Sequence, residues 1–229
     1  MAEHLLPREV ILRRVNIPLA LSPVEPAHPG AANHTLPFGL NWGAREGSHG
    51  RNRSATHLGG VLMSWGFVLL QNDRAPRRVT NVRNDKILES RFWPGSFEER
   101  RCLVPATSFY EPNGDVRPAT WHWFGLRGRD DRPMFAFPGI WRRYQGPVKK
   151  DGPKVDIEVY AFLTTAPNKL VETVNHERMP VLLTREEEFD AWLNGAPHLA
   201  FALAREYPPD QMRIVQEGFK KQDLLAAAA

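Results

Sequence analysis

Between residues 61 and 219, short apolar or β-branched runs alternate with clusters of Gly, Pro, Asn and Asp, the spacing of a chain built mostly from strands. Residues 61–70 predict a strand in which Gly66 marks a close approach of backbone. A loop rich in Asn, Asp, Arg and Pro follows, and 79–85 turns apolar again. Residues 90–101 predict a short helix or turn carrying Phe92, Trp93 and Phe97, interrupted by Pro94 and Gly95. Residues 100–112 read as one buried strand, closed by the turn signal of Asn113 and Gly114. Two further strands, 121–126 and 134–141, are joined by a polar turn at 129–132. A Lys/Gly/Pro loop covers 145–154, and 157–165 is a strand. Residues 167–173 predict a short helix and 181–183 a strand. Thr184, with Glu187 three positions on, reads as a capping box opening a helix that carries Phe189 and Trp192 and stops at Gly195. A helix or turn at 198–205, a strand at 212–215 and a frayed tail at 220–229 complete the chain.

Residues 1–60 differ. Pro18, Pro23, Pro26, Pro29 and Pro37, with Gly30, Gly39, Gly43, Gly47 and Gly50, break any long element, and only 10–12 and 15–17 are apolar enough for short edge strands. The pattern predicts an α+β or mainly-β single domain over 61–219, preceded by a loosely structured Pro/Gly-rich segment.

With 229 residues, 42% hydrophobic and 24% charged, the chain has the composition of an ordinary globular protein. No apolar run approaches the ~20 residues of a membrane-spanning helix, and no secretory signal is seen, so a cytoplasmic protein is expected. One cysteine, Cys102, excludes a disulfide framework and a cysteine-rich zinc site. The net charge is +4 and the pI about 9.4, which permits a nucleic-acid partner. The arginines crowd together: Arg74, Arg77, Arg78, Arg83, Arg91, Arg100 and Arg101 fall in one short region, and the planar guanidinium fork suits phosphate.

Candidate chemistry is sparse. Glu111 stands at a strand end behind Phe109 and Tyr110, where partial desolvation would lift its pKa toward the range of a general acid or base. His176 and Glu177 begin like a zinc helix, but position 180 is Pro180 instead of the second histidine, so that motif fails. His28, His34, His49 and His57 have no compact metal spacing, and no metal or other cofactor is expected. Cys102, flanked by Leu103 and Val104, reads as a buried, inert thiol. His122 reads as a strand residue with a local hydrogen-bond partner.

Three segments carry a resemblance: Asn81-Val82-Arg83-Asn84, the run 101–111 ending Ser108-Phe109-Tyr110-Glu111, and His176-Glu177-Arg178-Met179-Pro180 with the leucines after it. With Trp65-Gly66-Phe67 before them, and supporting matches at 137–141, 162–168 and 213–215, their order and spacing resemble the SOS response-associated peptidase (SRAP) family of abasic-site processing proteins. The resemblance covers about 61–219. It implies a barrel-like, mainly antiparallel β core with a few short helices. It also implies a monomer that binds single-stranded DNA, at the nucleoid when bound, and captures the aldehyde of an abasic site. Family members do so through an N-terminal cysteine exposed by loss of the initiator methionine, and are also proposed to remove their own N-terminal extension. Carried over residue by residue, Glu111 is the carboxylate near the nucleophile, His176 protonates or stabilises the opened sugar oxygen, and Asn81 orients the amine or aldehyde. Arg83 grips a flanking phosphate, extended by Arg78, Arg91 and Arg101, and Trp65 lies by the DNA channel or packs in the core.

One departure stands out. The chain begins Met1-Ala2-Glu3, with no cysteine before Cys102. Three explanations follow: a start that omits the cysteine, a diverged member that keeps DNA binding alone, or reaction through the amine of Ala2 to give a Schiff base and strand cleavage by β-elimination. A non-catalytic single-stranded DNA-binding module is therefore the competing reading.

Overall fold

The computed structural model of the chain describes residues 8–16, 56–113, 115–128, 132–174 and 176–219. Its elements are, in order, β1 (Arg8–Asn16), β2 (Thr56–Trp65), β3 (Phe67–Gln71), β4 (Arg74–Val79), β5 (Asn81–Arg83), α1 (Pro94–Glu99), β6 (Arg101–Ala106) and β7 (Phe109–Pro112). There follow β8 (Trp121–Leu126), β9 (Phe135–Pro147), β10 (Lys154–Thr165), α2 (Lys169–Glu172), β11 (Met179–Pro180), α3 (Glu186–Asn194), α4 (Pro197–Phe201) and β12 (Met212–Gly218). Strands dominate and the helices are short. None of the described helices is long and apolar enough to cross a membrane.

Seven strands form one mixed sheet in the order β11-β10-β2-β1-β6-β9, with β5 beside β10. β9 also pairs with β10, so the path of hydrogen-bonded neighbours returns on itself. Only β2 and β5 run parallel to β10; the other pairings are antiparallel. A second sheet has the order β12-β8-β7, and β3 with β4 makes a separate hairpin.

β6, the first half of β9 and the second half of β10 are buried on both faces, which explains why they read as continuous apolar runs instead of alternating ones. Successive residues of β6 enter different clusters: Leu103 packs with Phe67, Ile140 and Trp192, whereas Cys102 and Val104 pack with Phe109, Phe124 and Phe137. Along β10, Val159, Ala161 and Leu163 join the first cluster and Tyr160 the second. The thiol of Cys102 is fully buried.

Several elements differ from the sequence pattern, each for a local reason. The apolar piece in 10–12 is no edge strand: β1 pairs with β2 along its whole length and, on its other side, sets Leu12 opposite Leu103 of β6. The polar stretch after residue 70 is the turn and second strand of a hairpin, because Asp73 takes a positive φ of 57° and closes a tight turn. Pro94 starts α1, where its missing N–H costs nothing, instead of interrupting it. β8 and β9 do not pair with each other; β8 lies between β7 and β12, and the turn residues 129–131 lie outside the described residues. β9 runs on to Pro147, into the expected loop. Met179 and Pro180 pair with β10, and of the expected strand at 181–183 only Leu183 makes a bridge, to Ala136. The helix cap sits one residue later than expected, with Glu188 accepting from the backbone N–H of Thr184 at 2.9 Å and of Arg185 at 3.3 Å.

The run at 100–112 breaks in two. β6 ends at Ala106, β7 begins at Phe109, and the two strands belong to different sheets. Similarly, 61–70 divides at Gly66, whose φ of +98° belongs to the region that favours glycine and whose N–H donates to the Tyr160 carbonyl at 2.8 Å. A Cβ there would stand 3.2 Å from Arg78 Cβ and 3.3 Å from Thr80 Cγ2. Gly66→Ala is therefore expected to lower stability by about 1–3 kcal/mol, read as a lower urea midpoint at unchanged slope.

Candidate active site

Glu111 is the third residue of β7, and antiparallel pairing sets it opposite His122 of β8. His122 is in turn opposite Glu217 of β12, so three titratable side chains stand in a row on one face of the small sheet. Phe109 and Phe124, stacked at 5.3 Å between ring centroids, fill the same face one step inward. This apolar flank leaves the Glu111 side chain only 18% exposed. Burial pushes its carboxyl up from the ordinary 4.5 to about 8, so at neutral pH the group carries its proton most of the time.

His176 meets it. Nε2 lies 3.0 Å from Glu111 Oε2, and Nδ1 lies 2.7 Å from the carbonyl oxygen of Arg178. The histidine leads into β11, which the β10 ladder fixes by setting Met179 opposite Thr165 and Pro180 opposite Thr164. An acid on the small sheet and an imidazole at the margin of the large one thus share a single short contact, with the imidazole about one-third exposed. Such a pair can pass a proton in either direction, to a leaving oxygen or from an attacking amine.

Asn81 opens β5 and stands at the register position opposite Phe162 of β10. Its side chain is exposed and makes no hydrogen bond among the described residues. Immediately before it, the Thr80 carbonyl accepts from Trp65 Nε1 at 2.9 Å. Trp65 is 41% exposed and stacks on Phe162 at 5.4 Å and 15°, while Phe162 stacks on Phe137 at 4.8 Å and 25°. The indole is thereby fixed by a ring beneath it and a hydrogen bond at its edge. The ring packs on one face and reaches solvent on the other.

The arginines divide. Arg83 is exposed and holds Asp85 through two contacts of 3.0 and 2.7 Å, and Arg91 is exposed. Arg78 is turned inward: its Nη1 donates to the Gly66 carbonyl at 2.5 Å, and desolvation lowers its pKa. Arg101 donates to the Gly195 carbonyl at the end of α3 at 2.6 Å and lies 5.8 Å above the Phe97 ring and 6.0 Å from that of Trp192. These two guanidinium groups bind the protein's own carbonyls. His122 Nε2 finds Thr120 Oγ1 at 3.2 Å, and Ala2 lies outside the described residues. Among the described residues, no three His, Cys, Asp or Glu side chains are grouped to hold a metal ion.

Sequence reasoning passed over Arg178 and Asn84. Both lie inside the quoted segments, yet nothing in their identity showed that Arg178 Nη2 reaches Asn84 Oδ1 at 2.8 Å across 94 positions of chain.

Known proteins are similar to this chain. The abasic site processing protein YoqW of Bacillus subtilis is 28% identical over 168 residues, 67% of this chain and 67% of its own length. YoaM of the same organism, likewise called an abasic site processing protein, is 26% identical over 171 residues, 67% of this chain and 66% of its own. Among solved structures, a Bordetella bronchiseptica protein superposes with a TM-score of 0.53 at 20% identity, over 67% of this chain and 75% of that one. Residues 31–217 match the family described as SOS response associated peptidase. The chain belongs to the SOS response associated peptidase (SRAP) family.

Proposed function

We propose that the protein reacts with abasic sites in single-stranded DNA, and that Glu111 and His176 move the protons of that reaction. The observation that carries the reading is their 3.0 Å contact, made by a carboxyl whose burial raises it to about 8. An abasic site in its open form is an aldehyde. A primary amine adds to that carbonyl, and water leaves to give an imine; the departing oxygen needs an acid and the adding nitrogen must lose a proton. Protonated Glu111 serves the first need and the His176 imidazole the second. The α-amino group of Ala2 is the candidate amine where Met1 has been removed. The imine either persists as a crosslink or leads to strand cleavage by β-elimination.

Single-stranded DNA approaches past Trp65, whose exposed, rigidly held indole suits base stacking next to Asn81. Asn81, whose side chain makes no hydrogen bond among the described residues, orients the aldehyde or the amine, and Arg83 and Arg91 take flanking phosphates. Arg78 and Arg101 support this surface from within. The return of the strand path from β9 to β10 supports a barrel-like core. Removal of an N-terminal extension by the same pair fits its chemistry, since acyl transfer also needs an acid and a base.

The test is incubation with single-stranded DNA holding one abasic site, with and without borohydride. A borohydride-trapped adduct or a cleaved strand is expected, with His176→Ala slowing either by about 10²–10⁴-fold. Salt-sensitive binding with neither product would overturn the catalytic reading and leave a DNA-binding module.

A further inference from the structure

His176 is held from behind as well as met from the front. A carbonyl oxygen only accepts, so the hydrogen of the 2.7 Å contact between His176 Nδ1 and the Arg178 carbonyl sits on Nδ1. In the neutral ring Nε2 is then bare, and Nε2 is the nitrogen facing Glu111. The position of one backbone carbonyl thus selects which imidazole nitrogen is available for proton transfer.

That carbonyl belongs to a residue fastened at its other end. Arg178 Nη2 donates to Asn84 Oδ1 at 2.8 Å and to the Thr164 carbonyl at 2.6 Å, and stands 3.8 Å from Asp85. Asn84 is fixed in turn: its amide donates to the Ala204 carbonyl at 3.0 Å and to Thr165 Oγ1 at 3.2 Å, and its backbone N–H donates to the Thr164 carbonyl at 2.9 Å. Its oxygen therefore faces Arg178 and its nitrogen faces Ala204, and the reversed amide would set acceptor against acceptor at Ala204 and donor against donor at Arg178. The latch joins β5, β10, the chain after α4 and the His176 loop. Its charged and polar members make no contact with Glu111.

We propose that Asn84 and Arg178 are positioning residues, acting through the Arg178 carbonyl to keep the His176 hydrogen on Nδ1 and Nε2 bare toward Glu111. This rests on the reading of Glu111 and His176 as the reacting pair. The groups facing the imidazole are Glu111 on one side and the Arg178 carbonyl on the other, with Asp85 and Arg83 beyond the latch.

Asn84→Ala tests it, because it dissolves the latch without removing a charge from the surface. In full-length protein with nitrogen-15 histidine, at about pH 7 where Glu111 still carries its proton and an ordinary imidazole is mostly neutral, the His176 resonances are expected to show Nδ1–H in the parent. In Asn84→Ala they are expected to show a mixture containing Nε2–H. Reaction at an abasic site should slow about tenfold with single-stranded DNA affinity unchanged. Arg178→Lys, which keeps the charge but loses the fork, should shift the tautomer in the same way and stands in if Asn84→Ala does not fold. An unchanged tautomer in the variants overturns the proposal whatever happens to the rate. A fall in DNA affinity as large as the fall in rate also overturns it, since the latch would then serve DNA contact. If the tautomer shifts while the parent shows no reaction at all, the positioning stands and the catalytic reading fails.

Discussion

Glu111→Gln is expected to slow reaction at an abasic site by about 10²–10⁴-fold, the usual range for loss of a general acid. Affinity for single-stranded DNA should stay nearly constant, because a carboxyl raised to about 8 is mostly uncharged at neutral pH and its replacement changes little of the field the DNA meets. The same substitution makes a thermodynamic statement with a definite sign. A carboxyl lifted from 4.5 to about 8 binds its proton more tightly in the folded than in the unfolded chain. Its contribution to stability therefore falls as pH rises through that window, and the destabilisation is complete above about 8. Glutamine has no proton to lose. The variant should match the parent near pH 4.5 and exceed it at alkaline pH by on the order of a few kcal/mol. Urea unfolding at the two pH values reads the difference. A variant weaker than the parent at high pH would refute the account of Glu111 as a group charged against its surroundings.

Trp192→Ala carries the largest expected structural cost. The side chain is fully buried, donates from Nε1 to the Cys102 carbonyl at 2.8 Å, and lies 5.8 Å from the Phe97 ring. Arg101 spans the same corner from Gly195. Truncation would open a void the size of an indole and remove a hydrogen bond to a carbonyl of β6, for a loss of about 3–5 kcal/mol. The urea midpoint should drop accordingly. A loss below about 1 kcal/mol would mean that α3 is not anchored to the sheet through this ring.

The fold was legible where burial imposes a simple pattern. Strands covered on both faces read as unbroken apolar runs, so β9 and β10 were visible as strands, with only their ends misplaced. Glu111 was visible through the family-like run 101–111, set beside Asn81 and His176; an acid behind two aromatic residues at a strand end is by itself as often solvated as buried. What stayed hidden depends on which neighbour a side chain meets. A guanidinium has the same chemistry toward a phosphate as toward a carbonyl, so nothing in 74–101 told Arg78 and Arg101, bound inward, from exposed Arg83 and Arg91. The hairpin of β3 and β4 was hidden by its polar second strand, which is exposed along much of its length and has no core to pattern it. The latch of Asn84 and Arg178 joins residues 94 apart, a distance at which spacing carries no information.

Thr107 and Ser108, the two residues between β6 and β7, bear on how such a chain can change over generations. Side chains along β7 alternate between faces: Glu111 turns toward His176, and Tyr110, 39% exposed, turns the other way against Trp121 and Trp123. The count of residues in that link sets the phase of everything after it. One residue gained or lost there would exchange the two faces, presenting the phenol where the acid belongs while leaving every residue type in place. Substitution in the link is cheap by comparison; its length is what descent must preserve.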